Sequence, residues 1–350
     1  MRTVDMHCDT ISAMLNRKRN GEAVDFADND LHIDLSKLRK GDYLLQNFAL
    51  FVNLDACEDP WLEVEELAAL YGQLLKQHEA DIAPVYTYGD IEQNSQAGKI
   101  SAMLTVEEGG VCGGDLGKLR KLYEMGVRML TLSWNYPNEL GFPNLNSRKG
   151  MKLRETCKED PSETNLRAVT QYLNTPNEKD GLTETGIAFV QEMEALGMIV
   201  DVSHLSDAGF YDVLSHTSKP FVASHSNARS ICPCVRNLTD EMIKALAERG
   251  GVTGLNFCAD FLTQLPPGQH NPGTIEAIVR HAKHIVSVGG IECLGLGSDF
   301  DGIDTHEELP GADCMERLWE ALKKGGFTES ETEKIFSGNV LRVYREVLKA

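Results

Sequence analysis

A repeated alternation of short apolar runs and longer amphipathic stretches restricts the fold of this chain more than any other feature of its sequence. Eight apolar runs are predicted as buried strands: residues 3–6, 45–51, 102–106, 127–132, 198–202, 220–223, 252–257 and 293–297. Helical periodicity occupies most of the intervening stretches: residues 61–78, 116–124, 186–196, 208–215, 241–249 and 274–286. Strands that alternate with helices pair in parallel, and eight strands close a barrel. We therefore predict an α/β fold, the (β/α)8 barrel, with a doubly wound open sheet as the alternative.

The chain of 350 residues is predicted to form one domain, residues 1–350. Its length would also fit two domains of about 150 residues, but a barrel with loop insertions reaches this size. The sequence shows no linker, tandem repeat or low-complexity tract. Residues 133–181, after the fourth predicted strand, are rich in Asn, Pro, Gly and charge. We interpret them as a functional loop insertion, because structureless connections of this length are uncommon in compact domains.

The charge balance argues against two classes of partner. The chain has 34 Lys and Arg against 53 Asp and Glu, a net charge of −19. Nucleic acids and anionic membranes both require a basic face, so neither is expected as a partner. The nine cysteines are odd in number and form no CxxC pair. With no apolar signal segment or membrane-length run, this pattern predicts a reducing, cytoplasmic location.

Side chains typical of metal ligands follow the first and third predicted strands. In His7-Cys8-Asp9 the outer two residues share one face of the strand, whereas Cys8 faces away. This pair alone fits a metal site and a hydrogen-bonded turn equally well. Glu107 and Glu108 follow the third strand, directly before two glycines. A lone pair of glutamates is ordinarily a solvated turn, so these two residues by themselves do not indicate a metal site.

Three later strands end in the same way. His204 follows the fifth predicted strand, His225 the sixth and Asp299 the eighth. Because all strands of a parallel barrel end at one face, these residues are predicted to converge with those after the first and third strands. Nitrogen and oxygen ligands of this kind suit Zn²⁺, Mn²⁺ or Fe²⁺, and two divalent ions would relieve repulsion among the carboxylates. The chain has no GxSxG elbow, no P-loop and no GxGxxG after a strand that would indicate another chemistry.

Longer motifs around these residues carry a resemblance to a known family. The motifs are Asp201-Val202-Ser203-His204-Leu205-Ser206-Asp207, Ser224-His225-Ser226-Asn227-Ala228-Arg229 and Gly297-Ser298-Asp299-Phe300-Asp301-Gly302. They occur in order between His7-Cys8-Asp9 and Asn339-Val340-Leu341-Arg342-Val343, and so span almost the whole chain. The sequence resembles the renal (membrane) dipeptidase family. The resemblance implies an amidohydrolase-like (β/α)8 barrel with a binuclear zinc site.

The resemblance also implies a role for each ligand-type side chain. His7 and Asp9 would hold one zinc ion, and His204 and His225 would hold the other. Glu107, rather than Glu108, would bridge the two ions, because its spacing to the following Leu-Gly pair matches the family without a gap.

Further residues are assigned to catalysis and substrate binding. Asp299 matches the catalytic aspartate of the family, and Arg236 matches its binder of the substrate carboxylate. Many relatives carry a substrate-contacting histidine after the fourth strand, where this chain has Trp134 and Asn135, which we predict to contact substrate. Phe51 stands where the second strand often has a substrate-contacting Tyr. Both departures predict an altered substrate range.

The implied activity is hydrolysis of dipeptides with a free C-terminal carboxylate, including those with a C-terminal D-residue, by a homodimer. A hydroxide that bridges two divalent ions, most suitably Zn²⁺, would attack while Asp299 moves the proton. One alternative is a binuclear hydrolase of cyclic amides or phosphoesters, although such enzymes usually show His-x-His rather than His-x-Asp on the first strand. A second is a non-catalytic metal-binding barrel. Dipeptide hydrolysis with and without a chelator separates the three.

Overall fold

Nine parallel strands form one sheet, eight of them a closed barrel, in the computed structural model, which describes residues 1–266, 269–304 and 306–349. The strands are β1 (Thr3–Asp5), β2 (Tyr43–Phe51), β3 (Ile82–Pro84), β4 (Ile100–Glu107), β5 (Val127–Thr131), β6 (Ile199–Asp201), β7 (Val222–Ala223), β8 (Val252–Leu255) and β9 (Leu294–Leu296). Because β2 pairs with both β1 and β4, and β1 pairs with β9, eight of the strands close into a ring. The predicted (β/α)8 barrel is confirmed, and the open sheet is wrong.

The eight predicted strands correspond to the eight barrel strands, with bounds that differ by two residues or fewer. The additional strand, β3, was not predicted. It pairs with the first residues of β4, on the edge that β5 occupies further along. Its three residues include one that is fully buried, Ile82, and they end in a proline. So short a run has no periodicity that would mark it as a strand.

Helices surround the barrel and connect its strands. In the described residues they are α1 (Thr10–Arg19), α2 (Leu35–Lys40), α3 (Pro60–Gln77), α4 (Tyr88–Gln96), α5 (Leu116–Glu124), α6 (Ser147–Glu159), α7 (Glu163–Asn174), α8 (Glu184–Leu196), α9 (Asp207–His216), α10 (Asp240–Glu248), α11 (Ala259–Leu262), α12 (Ile275–Gly289), α13 (Met315–Lys324), α14 (Glu329–Glu333) and α15 (Asn339–Val347). All six predicted helices are present, as α3, α5, α8, α9, α10 and α12. None of the helices in these ranges combines the length and hydropathy needed to cross a bilayer.

Residues 133–181, here called the insertion, lie between β5 and α8 and contain α6 and α7. Neither of these two helices has a buried residue. The start of the insertion is joined to the chain that follows β6. Pro143 forms an antiparallel bridge with Leu205, and the Phe142 carbonyl accepts a hydrogen bond from the Ser206 amide at 2.9 Å. The insertion therefore rests on the carboxyl-terminal rim of the barrel.

The amino-terminal end of the barrel is closed by α15. Val343 and Tyr344 of this helix pack in one buried cluster with Val4 of β1 and Met103 of β4. The Tyr344 hydroxyl accepts a hydrogen bond from Asn47 Nδ2 at 2.7 Å inside the barrel. With this end filled, the carboxyl-terminal rim is the end at which a ligand can enter.

Candidate metal centre

The six ligand-type side chains singled out in the sequence come together at the carboxyl-terminal rim. Glu107 is the last residue of β4, and the others follow the ends of their strands. We call these six the candidate metal centre: His7, Asp9, Glu107, His204, His225 and Asp299. All six are buried. They meet because every strand of a parallel barrel ends on the same rim.

Glu107 lies at the middle of this group. Its Oε1 is 3.0 Å from His204 Nε2 and 3.5 Å from His225 Nε2. Its Oε2 is 3.4 Å from His7 Nε2, and Asp9 Oδ2 is 3.3 Å from the same nitrogen. In the described part of the chain, the possible donors form three overlapping groups. Two share Glu107, one with His7 and Asp9 and one with His204 and His225, and the third joins His7, His225 and Asp299. A carboxylate shared by two donor groups is the arrangement that a two-metal site requires.

Hydrogen bonds on the outer ring nitrogens determine which nitrogen of two histidines faces this centre. Ser224 Oγ donates to Asp201 Oδ2 at 2.6 Å, so the same hydroxyl accepts from His225 Nδ1 at 2.7 Å. Asn135 Oδ1 accepts from His204 Nδ1 at 2.9 Å. With the proton on Nδ1, the Nε2 atom of each ring carries a lone pair.

The Nε2 lone pairs of His204 and His225 point toward each other, and neither nitrogen carries a proton that could form a hydrogen bond between them. The Nε2 atoms of His204 and His225 are 3.0 Å apart, and both lie beside Glu107 Oε1. Within the described ranges, the buried atoms His7 Nδ1, His7 Nε2 and Asp9 Oδ1 also lack hydrogen-bond partners. Buried polar atoms are normally paired, and a convergence of acceptors is unfavourable unless a cation lies between them. The donor set therefore fits metal ions on both sides of Glu107.

Burial favours the neutral forms of the histidines and carboxylates in this centre. It lowers the pKa of His204 and His225 well below the ordinary value, which keeps these imidazoles neutral and able to coordinate. Burial raises the pKa of Glu107 to about 7. Burial also opposes a charge on His7, but the negative charges of Glu107 and Asp9 raise its pKa well above the ordinary value. The carboxylates thus favour positive charge at the centre of the group.

Two buried aspartates lie one step deeper in the barrel and are fully hydrogen-bonded. Asp5, the last residue of β1, accepts from the Ser298 amide at 2.8 Å and from the Ser298 hydroxyl. Asp201, the last residue of β6, accepts from the Ser224 amide at 2.8 Å and from the hydroxyls of Thr131 and Ser224, both at 2.6 Å. We call these two aspartates and their hydroxyl partners the lower layer. Neither aspartate is among the predicted site residues, although each lies near the end of an apolar run in the sequence.

Asp299 directs one carboxylate oxygen toward the centre. The residue adopts a left-handed φ of 64°, which places its Oδ1 3.8 Å from His7 Nε2. Its Oδ2 accepts from Asn256 Nδ2 at 2.9 Å. Glycine is needed at position 302, because a Cβ there would lie 2.1 Å from Asp9 Oδ2 and 2.8 Å from Asp299 Oδ1. Burial raises the pKa of Asp299, which suits a group that accepts a proton and returns it.

Two arginines on the loop after β7 differ completely in their partners. Arg229 pairs with both carboxylate oxygens of Asp207, at 2.6 and 2.8 Å. Arg236 is only 3% exposed, yet none of its three guanidinium nitrogens has a hydrogen-bond partner in the part of the chain that the structure describes. Its guanidinium lies 5.4 Å from the centroid of the Phe261 ring. Burying a charge without a partner costs free energy. Of the two arginines, Arg236 is therefore the one whose N–H donors are free to bind an anionic ligand.

The remaining predicted residues lie on the side of the rim next to His204. The Trp134 ring centroid is 4.8 Å from that of Phe51 and 6.0 Å from that of His204. Asn135 contacts the outer nitrogen of His204 through its Oδ1. Glu108 is separate from the centre, because its Oε2 accepts from the Trp134 amide at 3.0 Å. Of the two adjacent glutamates, the structure thus brings only Glu107 to the histidines.

Comparisons with known sequences give one consistent family. Residues 1–350 match the family described as membrane dipeptidase, peptidase family M19. An uncharacterized protein in the pqqA 5′ region of Klebsiella pneumoniae is 31% identical over 280 residues, which cover 80% of this chain and 94% of that protein. An uncharacterized dipeptidase of Schizosaccharomyces pombe is 30% identical over 369 residues, covering 98% of this chain and 80% of that protein.

Solved structures show the same fold. The dipeptidase AC, a metallopeptidase of family M19, superimposes with a TM-score of 0.84 at 24% identity, covering 100% of this chain and 99% of that one. A metallopeptidase from Rhodobacter sphaeroides, solved with a phosphinate mimic of the dipeptide L-Ala-D-Ala, gives 0.82 at 23% identity, covering 99% of both chains. At these identities the likeness establishes the barrel.

Proposed function

The chain belongs to the membrane dipeptidase family, peptidase family M19, and we propose that it hydrolyses the peptide bond of dipeptides that have a free C-terminal carboxylate. The observation that carries this proposal is the convergence of unprotonated ring nitrogens and carboxylate oxygens around Glu107. Structural zinc sites close their coordination, usually with cysteines. A nitrogen and oxygen donor set at the rim of a barrel instead leaves room for a substrate.

We assign two divalent ions, most suitably Zn²⁺, to the candidate metal centre. His7 and Asp9 would hold one ion, His204 and His225 would hold the other, and Glu107 would bridge them. The two donor groups that share Glu107 support this assignment. When bound, such ions polarise the scissile carbonyl and make the attacking water acidic enough to react as hydroxide near neutral pH.

Asp299 would move the proton during hydrolysis. Asn256 holds its Oδ2, which leaves Oδ1 facing the centre. From that position the carboxylate would take the proton of the attacking water and deliver it to the leaving amine.

Arg236 would bind the C-terminal carboxylate of the substrate through a bidentate pair. Its guanidinium is close enough to Asp299 and Glu107 for their charges to act on it. In a dipeptide the C-terminal carboxylate is one residue from the scissile bond, so an arginine that binds it has to lie near the reacting groups. The influence of Asp299 and Glu107 on Arg236 supports dipeptides, rather than longer peptides, as substrates.

We further propose that a C-terminal D-residue is accepted. The R. sphaeroides structure contains a mimic of a dipeptide with a D-residue at that position. The contacts assigned here hold the carboxylate and the scissile carbonyl, and neither contact depends on the configuration of the C-terminal residue. The homodimer and the cytoplasmic location stay predictions.

A chelation and reconstitution series tests the proposal. A panel of L,L- and L,D-dipeptides is assayed with the purified protein, with the chelated protein and after Zn²⁺ is restored, while elemental analysis counts the ions. We expect two ions per chain, activity on dipeptides, loss of activity on chelation and recovery with Zn²⁺. A fully active protein without bound metal would contradict the metal assignment. With both ions present and every dipeptide left intact, activity on cyclic amides or phosphoesters would point to the other hydrolase class.

A further inference from the structure

The two histidines on one side of Glu107 are held by different parts of the molecule. The outer nitrogen of His225 bonds to Ser224, whose hydroxyl is fixed by Asp201 of the lower layer. The outer nitrogen of His204 bonds instead to Asn135, which belongs to the insertion. One ligand is therefore oriented by the barrel and the other by a segment outside it.

The backbone of His204 depends on the same segment. His204 has a φ of 71°, a left-handed conformation that is unfavourable for a residue with a side chain. Its carbonyl accepts a hydrogen bond from the Asn144 amide at 3.0 Å, next to the bridge between Pro143 and Leu205. Strained conformations persist only where surrounding contacts determine them. Here those contacts come from the insertion.

Asn135 is itself fixed on both sides. The amide of the preceding residue, Trp134, donates to Glu108 Oε2 at 3.0 Å. The Asn135 carbonyl accepts from the amide of Ser147, the first residue of α6, at 2.8 Å. These bonds leave the Asn135 side chain little freedom to move away from His204. The bond from the Trp134 amide also fixes the Glu108 carboxylate, which lies next to the centre without contacting it.

We propose that Asn135 is a positioning residue that fixes the tautomer and the direction of His204, so that the insertion forms part of one metal site and not of the other. This inference rests on the metal assignment made under the proposed function. Hydrogen bonds to the outer nitrogen of a histidine ligand orient the ring, and their loss typically weakens metal binding by about 10- to 100-fold. Asn135 would therefore act on metal affinity without touching the ion.

Zinc titration of the metal-free protein against a competing chromophoric chelator tests the proposal. Asn135→Leu keeps the approximate volume but removes the acceptor, so we expect the binding of one Zn²⁺ to weaken by about 10- to 100-fold while the other changes less. Asn135→Asp keeps an acceptor oxygen and should restore wild-type affinity or exceed it. Asn53→Ala is the matched control, because Asn53 accepts a hydrogen bond from Tyr136 at the same rim and is separate from the candidate centre. It should bind both ions as the wild type does.

A second measurement does not depend on metal. Long-range nitrogen-15 NMR of the metal-free protein reports which nitrogen of His204 is protonated, and Asn135→Leu should change a single Nδ1–H form into a mixture. Equal zinc affinities for Asn135→Leu and Asn53→Ala, or equal losses for Asn135→Leu and Asn135→Asp, would overturn the inference. If Asn135→Leu does not fold, Asn135→Asp and Asn135→Ser carry the comparison. A wild-type protein that binds no zinc would instead refute the proposed function.

Discussion

The lower layer and the candidate metal centre are adjacent, equally buried and opposite in how their polar atoms are satisfied. In the lower layer both carboxylate oxygens of Asp201 accept short hydrogen bonds from amides and hydroxyls. In the centre above it, both ring nitrogens of His7 and one oxygen of Asp9 lack hydrogen-bond partners among the described residues. The sequence is thus able to pair buried polar groups at this depth and does so one step further down.

This difference between the paired lower layer and the unpaired centre indicates where a ligand binds. Leaving a buried polar group unpaired costs about 1–3 kcal/mol, and more for a charge. The loop after β7 makes the same contrast within eight residues, since Arg229 is paired with Asp207 and Arg236 is unpaired. Both ring nitrogens of His7 and the whole guanidinium of Arg236 lack hydrogen-bond partners among the described residues, which indicates that a ligand completes this rim.

The largest effect is expected for the glutamate that joins the two donor groups. Glu107→Ala should weaken both ions and lower kcat/KM by about 1,000-fold or more, because the metals supply several kcal/mol of transition-state stabilisation. Glu108→Ala is the comparison variant. Glu108 accepts from the Trp134 and Gly110 amides and from Asn138 rather than contacting the histidines, so its loss should leave much of the metal in place and weaken at most the site that contains His204. Elemental analysis and dipeptide kinetics measure both. The reverse result would place the shared carboxylate one residue further along the chain.

The next effect concerns the unpaired arginine. Arg236→Ala should lower kcat/KM for dipeptides by roughly 30- to several thousand-fold, or ~2–5 kcal/mol, because the substrate carboxylate is then left without its partner. Metal content should not change. An amidated dipeptide should be a poor substrate for the wild type and should lose little further in the variant, because its carboxylate is already absent. Equal losses on acid and amide would mean that the carboxylate is recognised elsewhere.

Unfolding experiments on the two arginines provide the control for that result. Arg229→Met should destabilise the metal-free protein by roughly 3 kcal/mol, because it leaves the buried Asp207 carboxylate unpaired. Arg236→Met removes a buried charge that has no partner in the described chain, so it should be neutral or stabilising. Chemical denaturation of both variants measures the difference. A comparable loss in both would show that Arg236 has a structural role.

A smaller effect is expected from the lower layer. Asp201→Asn puts an amide NH₂ among hydroxyl donors, so we expect a loss of stability of about 1–3 kcal/mol. His225 would lose part of its orientation through Ser224, and zinc affinity should fall by about 10- to 100-fold. Denaturation of the metal-free protein and zinc titration separate the two losses. Unchanged zinc affinity in a destabilised variant would show that the lower layer serves the fold alone.

The smallest effect is expected at the aromatic side of the rim. Trp134→His should change the ranking of dipeptides by about tenfold or less, because differences in pocket shape alone discriminate weakly. The Trp134 ring packs against Phe51 and is separate from the ring nitrogens that face Glu107. A panel of dipeptides with different side chains measures the ranking. Loss of hydrolysis on all of them would place Trp134 in the reaction itself.

Strand ends were predictable from the sequence because burial imposes a local pattern. Apolar runs located the eight barrel strands, and counting from their ends located His7 and His225, whereas the choice of Glu107 over Glu108 depended on the family resemblance. Side-chain partners from distant segments were not predictable in this way. Asn135 was expected to contact substrate, and its bond to His204 joins residues 69 positions apart. Periodicity reports which residues are buried, whereas such bonds depend on how the insertion crosses the rim.

Because β1 and β9 are neighbours in the barrel, the ring cannot close until nearly the whole chain has been synthesised. Asp5 of β1 pairs with Ser298, which is 293 residues later in the chain. At translation rates of about 5–20 residues per second, β1 waits roughly 15 to 60 seconds before its neighbour on that side exists. During this interval the backbone N–H and C=O groups on that edge of β1 are unpaired and open to misassociation. Since His7 follows β1 and Asp299 follows β9, the candidate metal centre is complete only after the last strand of the barrel has been synthesised.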